Sequence, residues 1–212
     1  MMKQHDYWNQ VAATKQFTTP FQADVFAQYV EPSAQILDVG CGYGRTLHQL
    51  ATAGFTNLLG VDFAEEMIQR GQNRYPDLDL RVMAPGVLPL ATASCDAVIL
   101  FAVLTCIAND QEQEQLIAEI QRVLKPGGIL YVNDFLLNSD ARNQQRYQQY
   151  KSQHGGPYGV FELPEGAVCR HHDPQWIKHL LHSFTQLEYH PLTFTTMNGH
   201  QSNGFYYLGR NK

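Results

Sequence analysis

Residues 35–46 read Gln35-Ile36-Leu37-Asp38-Val39-Gly40-Cys41-Gly42-Tyr43-Gly44-Arg45-Thr46. Ile36, Leu37 and Val39 form a short apolar run of the kind buried on both faces of a parallel sheet. Glycine then recurs at alternate positions, Gly40, Gly42 and Gly44. A strand that breaks into spaced glycines and runs on into a helix is a nucleotide-binding turn. Without a Cβ the backbone takes positive φ and a ligand approaches to contact distance. Free N–H groups in the first turn of the next helix face the same space.

The spacing narrows the ligand. In the dinucleotide fingerprint the third Gly follows the second by three residues. Here it follows by two, and Arg45 occupies the fingerprint position. Asp38, two residues before Gly40, repels a pyrophosphate but suits a cation or an amino group. The stretch Leu37–Gly44 resembles the first motif of the class I methyltransferases, which use S-adenosylmethionine. That ligand carries a sulfonium and an ammonium and no phosphate. The resemblance implies that Asp38, Gly40, Cys41, Gly42 and Gly44 border the cofactor.

The 212 residues suffice for one α/β domain, here read as a single domain over 1–212. Hydrophobic residues make up 44%, which argues against disorder. The formal net charge is −5 and no cluster of Lys and Arg is visible, so a nucleic-acid substrate has little electrostatic support. No apolar run approaches the ~20 residues of a membrane span. The opening Met-Met-Lys-Gln-His-Asp lacks the apolar core of a secretion signal. Cys41, Cys95, Cys106 and Cys169 are scattered, with no CxxC pair. A cytoplasmic, reducing setting is the expectation.

Ahead of the glycine turn, Tyr7-Trp8 has two readings: an arm folded over the cofactor, as many small-molecule methyltransferases have, or simple core packing. Thr19-Pro20 predicts a helix with Pro at its first position, carrying Phe21, Val25, Phe26, Tyr29 and Val30 inward and ending at Glu31-Pro32. The arm and this helix take up residues 1–30. After the turn, Leu47, Leu50 and Ala51 give the next helix a buried side, and Gly54 stops it. Asn57–Asp62 is the second strand. Asp62 stands 22 residues after Gly40, where a nucleotide-binding α/β fold places an acid for the ribose hydroxyls. A cap for the helix from Ala64 is the other reading. Under the resemblance, Phe63 and Met67 line the adenine slot, Met67 being otherwise a core residue.

Leu80–Met83 reads as the third strand. In the resembling family the position of Ala84 often carries Asp, so adenine here is expected on backbone and apolar contacts around Ala84 and Pro85. Ser94–Phe101 is the fourth strand, whose carboxyl end, with Phe101, is expected to face the methionine part of the ligand. An amphipathic helix runs from Asn109 to Leu124. Lys125-Pro126-Gly127-Gly128 ends it, and a fifth strand starts at Ile129. Leu-Lys-Pro-Gly-Gly before an apolar strand is a second motif of the same family, about 85 residues after the first.

The resemblance covers about residues 30–135. It implies an α/β, Rossmann-like, seven-stranded and mostly parallel sheet flanked by helices, in the order 3-2-1-4-5-7-6 with strand 7 antiparallel. A substrate lid is expected at 138–172, after strand 5. Within it fall a polar helix over Ala141–Ser152 and a hairpin of 160–163 with 167–170 around Pro164-Glu165-Gly166. Asp173-Pro174 caps a helix carrying Trp176, Ile177, Leu180, Leu181 and Phe184 inward. Two antiparallel strands, about 186–195 and 202–210, close the chain.

Seven of nine histidines lie from His154 onward. His171 and His172 are the candidate catalytic pair, touching substrate with one as base, against the alternative of a surface pair at a helix start. His200, beside Asn198-Gly199, reads as a turn residue. His179 and His182 share a helical face at i, i+3 but lack a third ligand, so no metal is expected. No Asn-Pro-Pro-aromatic sequence of the kind carried by amino methylases of adenine or glutamine follows the fourth strand. The expected activity is therefore methyl transfer from S-adenosyl-L-methionine to an O, N or S atom of a small-molecule acceptor, with no nucleic-acid or membrane partner and the oligomeric state left open. The competing readings are a non-catalytic S-adenosylmethionine-binding module, with 143–153 as its partner surface, and a nucleotide-linked oxidoreductase.

Overall fold

The computed structural model describes residues 4–196 and 199–212. Five strands run parallel at the heart of the sheet: β1 (Gln35–Val39), β2 (Asn57–Asp62), β3 (Asp79–Val82), β4 (Cys95–Phe101) and β5 (Leu124–Phe135). Strands β6 (Val160–Glu162) and β7 (Val168–Arg170) pair separately as a hairpin. Strands β8 (Phe184–Thr195) and β9 (Gln201–Asn211) return to the sheet, β9 antiparallel to both β5 and β8. The order β3-β2-β1-β4-β5-β9-β8 is the expected one, with β8 and β9 as its sixth and seventh strands.

The apolar runs explain why the parallel strands lie at the centre. Ile36, Leu37 and Val39 are all but inaccessible, and Leu37 and Val39 belong to a different core cluster from Ile36. Side chains on opposite faces of one strand thus feed two cores, as a sheet covered on both sides requires. Helices α3 (Arg45–Thr52), α4 (Glu65–Arg74) and α5 (Asp110–Val123) connect these strands. Asn109 caps α5 by accepting the N–H of Glu112 at 3.1 Å. Gly54, at φ +94°, ends α3 by donating to Ala51 O at 3.0 Å. Helix α7 (Pro174–Leu180) opens on the Asp173 cap with Pro at its first turn and buries Ile177 and Leu180.

Some local expectations fail. Thr19-Pro20 starts no helix: α2 is one turn, Ala23–Phe26, with Gln22 at its cap. Phe21, Phe26 and Val30 nevertheless reach the core, because apolar burial does not need a regular helix. Ala51 is exposed, and Thr46 takes the buried place one turn before Leu50. The Lys125-Pro126-Gly127-Gly128 stretch ends α5, but extended pairing resumes already at Leu124, opposite Cys95, with a bulge before Ala97 meets Ile129. The Asn198 turn lies outside the described residues.

Helix α1 (Gln4–Val11) lies on α4. His5 and Asn9 both reach Glu65, at 2.8 and 3.0 Å, and Arg70 donates to Ala12 O and Lys15 O, each at 2.7 Å. Helix α6 (Ala141–His154) and the β6–β7 hairpin cover the carboxyl end of the sheet from the other side. Among the described residues no helix is long and apolar enough to cross a membrane.

Candidate active site

A cavity of about 220 Å³ lies outside the carboxyl ends of β1, β2 and β4, where open α/β sheets bind ligands. Its floor is the glycine turn. Gly40, Gly42 and Gly44 take φ of 71°, 54° and 80°. A Cβ on Gly40 would lie 2.5 Å from Val103 Cγ2, and one on Gly42 would lie 2.6 Å from Phe17 Cε2. Both positions are therefore closed to larger residues by conformation and by contact. Gly40, Cys41 and Gly42 line the cavity, whereas Gly44 is turned onto Leu78 and Leu80 and serves as the helix-initiating residue. Ala102, at φ 56°, is a non-glycine residue held in the left-handed region at the end of β4, and the bend sends Val103 back over Gly40.

Two carboxylates stand at this floor. Asp38 is buried, and its carboxylate makes no hydrogen bond or ion pair among the described residues. Loss of solvent, and then the neighbouring Asp62 charge, push its pKa up to about 8, with Arg45 opposing. Asp62 accepts Gly42 N–H at 2.8 Å through Oδ2 and Ala64 N–H at 2.9 Å through Oδ1. Burial raises its pKa too, against those backbone donors. Helix α4 is capped at Ala64 with no side-chain bond, so Asp62 is not its cap; each Asp62 oxygen spends one lone pair on the backbone and keeps another free on the cavity side. Phe63 and Met67 line the wall beside it, and Met67 is also fully buried against Ala64 and Tyr43.

Trp8 packs on the core cluster of Ala12, Tyr43 and Met67 and also faces the cavity. Phe17, which the sequence did not single out, is the stronger cover: its ring stacks on Tyr43 at 5.0 Å and 3° and lies over Gly42. Arg45 lines the same space, with its guanidinium 5.4 Å from the Phe101 ring and a hydrogen bond to Thr19 O at 2.8 Å. Ala84 and Pro85 do not reach the cavity. Strand β3 is a short edge that ends at Val82, and both residues leave it into solvent.

The two histidines part company. His171 lines the cavity; His172 does not. His172 is wholly buried: Nδ1 donates to Phe135 O at 3.0 Å, and Nε2 accepts from Gln113 at 2.9 Å. Gln113 in turn accepts from Trp176 Nε1 at 2.7 Å. Burial, then the Arg170 charge, lower its pKa to about 3. The isolated bridge of Leu136 with His172 pulls this residue under the sheet end. It is a core histidine that does not line the cavity.

His171 is buried against Phe135, Tyr147 and Phe161. Asn138 Oδ1 accepts Asn203 N–H at 2.8 Å, which turns the Asn138 amide N–H toward His171 Nδ1 at 3.1 Å. The Tyr147 hydroxyl donates to the same nitrogen at 2.5 Å. The network therefore assigns the ring proton to Nε2. Burial, then the Arg146 charge, hold His171 well below the usual imidazole range. As folded it is a neutral hydrogen-bond donor, and the expectation of a ready base on the pair is corrected for both members. His200, expected as a turn residue, lines the cavity rim with Thr196 and Ser202.

Other lining residues were not legible in sequence. Arg142 and Arg146 project from α6, one turn apart, and Cys106 and Cys169 lie on the wall between β4 and the hairpin. Burial raises both thiols, Cys169 to about 12, so neither is a thiolate near neutrality. The hairpin is pinned by the Arg170–Asp110 pair at 2.6 Å and by Thr105 Oγ1 donating to Arg170 O at 2.8 Å. His179 and His182 are exposed and stack at 5.8 Å, and no metal-binding group of three His, Cys, Asp or Glu occurs among the described residues.

A seven-stranded sheet in this order, a glycine turn between two buried acids and a cavity at the strand ends define a class I methyltransferase fold. Residues 37–132 match the family model described as a methyltransferase domain. Over that stretch, somewhat under half of its length, the chain resembles methyltransferase domains. It is 32% identical over 141 residues to 27-O-demethylrifamycin SV methyltransferase of Amycolatopsis mediterranei, covering 63% of this chain and 51% of that protein. It is 36% identical over 104 residues to demethylmenaquinone methyltransferase of Renibacterium salmoninarum, covering 49% of this chain and 42% of that one. The matches thus span about half the length of these relatives. A solved S-adenosylmethionine-dependent methyltransferase from Methanosarcina mazei superposes with a TM-score of 0.82 at 24% identity, over 88% of this chain and 96% of that one.

The residues present fit the family's cofactor. Its ammonium and sulfonium match a floor that holds two acids, one of them without a hydrogen-bond or ion-pair partner among the described residues. Its ribose matches the spare lone pairs of Asp62, and its adenine the apolar wall of Phe63 and Met67.

Proposed function

We propose that this chain transfers a methyl group from S-adenosylmethionine to a small-molecule nucleophile, within one domain whose arm (1–30) and lid (138–172) enclose the cavity. When bound, the sulfonium supplies the activated methyl group. The protein's own part is alignment and exclusion of water. Asp62 orients the ribose, Asp38 meets the cationic amino-acid end, and the glycine turn lets both come within contact distance. Trp8 and Phe17 cover the cofactor side, while Phe135, Phe161 and His171 bound the acceptor side.

The observation that carries this reading is the pair of buried carboxylates, Asp38 and Asp62, at the floor of a cavity lined largely by aromatic and aliphatic side chains. A phosphate-bearing cofactor would meet repulsion there. An enclosed apolar cavity suits a small acceptor better than a polymer, and the net charge of −5 disfavours nucleic acid. The two relatives, a rifamycin and a menaquinone methyltransferase, support the same substrate class. A thiolate acceptor needs no base. For an acceptor that must lose a proton, the exposed His200 at the rim is the imidazole placed to take it.

The test pairs binding with turnover. S-adenosylhomocysteine and nicotinamide cofactors are titrated calorimetrically, and labelled S-adenosylmethionine is screened against phenols, thiols, amines and carboxylic acids. Binding of S-adenosylhomocysteine with transfer to any small acceptor supports the proposal. Stoichiometric binding without transfer across the panel favours the binding-module reading, and preference for a nicotinamide cofactor overturns both.

A further inference from the structure

The cavity is electrically divided. Its acids stand at the glycine turn, and its lid end carries Arg142 and Arg146, one helical turn apart on α6. Neither arginine forms an ion pair among the described residues. Asp140, the nearest acid in sequence, is engaged with Asn143 instead. Arg146 lays its guanidinium 3.4 Å from the centroid of Phe161, and its Nε is buried without a partner. Stacking uses the flat face of a guanidinium and leaves the N–H edge free to donate. Phe161 meets His171 edge-on at 4.8 Å, and Nε2 of His171, which carries the ring proton, has no protein partner among the described residues. Two cations and one neutral donor therefore face the lid end of the cavity; Asp140 is near enough to act on Arg142 and His171 through its charge, but among the described residues it pairs with neither. Arg142 is exposed and Arg146 half-buried, but the buried Nε of Arg146 is left unmatched, and a buried donor without an acceptor is costly, so the arrangement calls for an anion from outside the chain.

We infer that the acceptor carries a carboxylate on an apolar or aromatic body, and that the free N–H edge of Arg146, with Arg142 at the rim and His171 Nε2–H, binds that carboxylate. The planar fork of Arg146 matches a carboxylate bidentately. Phe135 and Phe161 supply the surface for the apolar body, and the reacting atom then points toward the glycine-turn end. This inference rests on the methyltransferase reading and adds to it the chemical class of the substrate.

The experiment is calorimetric and needs no turnover. Benzoate and 1-naphthoate, each beside its neutral amide, are titrated into the full chain saturated with S-adenosylhomocysteine. The carboxylates are expected to bind about tenfold or more tighter than the amides. In Arg146→Met and, separately, the more exposed Arg142→Met, that preference should shrink, at unchanged affinity for S-adenosylhomocysteine. Melting temperatures confirm that each variant is folded. If neither carboxylate binds more tightly than its amide, or if both variants keep the preference, the inference fails while the methyltransferase reading stands. If either variant loses S-adenosylhomocysteine affinity instead, the arginines hold the cofactor's own carboxylate, which also overturns it. A wild-type chain that does not bind S-adenosylhomocysteine sinks the underlying reading, a result that the first titration reports by itself.

Discussion

The backbone N–H of Gly42 donates to Asp62 Oδ2 at 2.8 Å, across the gap between the ends of β1 and β2. This one bond fixes the glycine turn to the acid at the end of β2. The carboxylate accepts at both oxygens, so its orientation is set before any ligand arrives. Replacing Asp62 by Asn turns one acceptor oxygen into a donor facing another N–H. Asp62→Asn should weaken S-adenosylhomocysteine binding by about 1–3 kcal/mol, the cost of leaving polar partners unmatched. Calorimetry reads this directly, and an unchanged dissociation constant would take Asp62 out of the site.

Asp38 gives a prediction with a definite sign. Its folded-state pKa of about 8 lies above the ordinary carboxylate value of 3.8. The folded chain therefore holds a proton that the unfolded chain releases. The associated stability is complete below about pH 4 and is lost as pH rises toward 8. Asp38→Asn removes that loss. The ligand-free variant should melt at nearly the same temperature as wild type in mild acid and several degrees higher near pH 8, where about 1 kcal/mol is worth roughly 2–4 °C in a domain of this size. The same variant should bind S-adenosylhomocysteine more weakly. Equal melting temperatures at both pH values would refute the buried, unpartnered state of Asp38.

The adjacent histidines should separate by phenotype. His172→Ala removes the ring that bridges Gln113 and the Phe135 carbonyl and opens a cavity in the core, although Gln113 keeps Leu104, Ile107 and Trp176 and the carbonyl keeps the residue-172 N–H. A loss of about 2–4 kcal/mol in unfolding free energy is expected from denaturant titration. His171→Ala should cost less stability and act on acceptor handling, raising KM for the acceptor while S-adenosylhomocysteine affinity holds. If both variants lose the same stability and nothing else, His171 has no part in the site.

Phe17 closes the floor by contact with a position that has no side chain. Gly42→Ala would set a Cβ 2.6 Å from the Phe17 ring, at a φ of +54°. That substitution should displace the ring and lower cofactor affinity at least tenfold, about 1.4 kcal/mol or more. Phe17→Leu, which keeps apolar cover without the stack on Tyr43, should raise the dissociation rate of S-adenosylhomocysteine in stopped-flow fluorescence. A rate equal to wild type would show that the arm does not retain the ligand.

Much of the floor was legible because local sequence dictates it. An apolar run, alternate glycines and an acid at a fixed distance specify strand, turn and second strand without help from the rest of the chain. The helix cap at Asp173 was readable for the same reason. The roof was not. Arg142 and Arg146 sit on a helix with no marked apolar face, and only the hairpin folding back against it places Phe161 under one guanidinium. His171 and His172 are neighbours in sequence, yet extended backbone sends them to opposite sides, one into the cavity and one into the core. Ala84 and Pro85 failed because a four-residue edge strand releases its exit to solvent. His200 was set aside for its Asn-Gly neighbours, a local signal that carries no information about where β8 and β9 return to the sheet.

The contact of Arg146 with Phe161 joins α6 to the hairpin as one rigid flap. Tyr147 reinforces it from the same helix, through a tilted contact with Phe161 at 5.9 Å and the bond to His171. Because the hairpin is in turn anchored through Arg170 to Asp110 and Thr105, α6 is tied through it to α5 and to the end of β4.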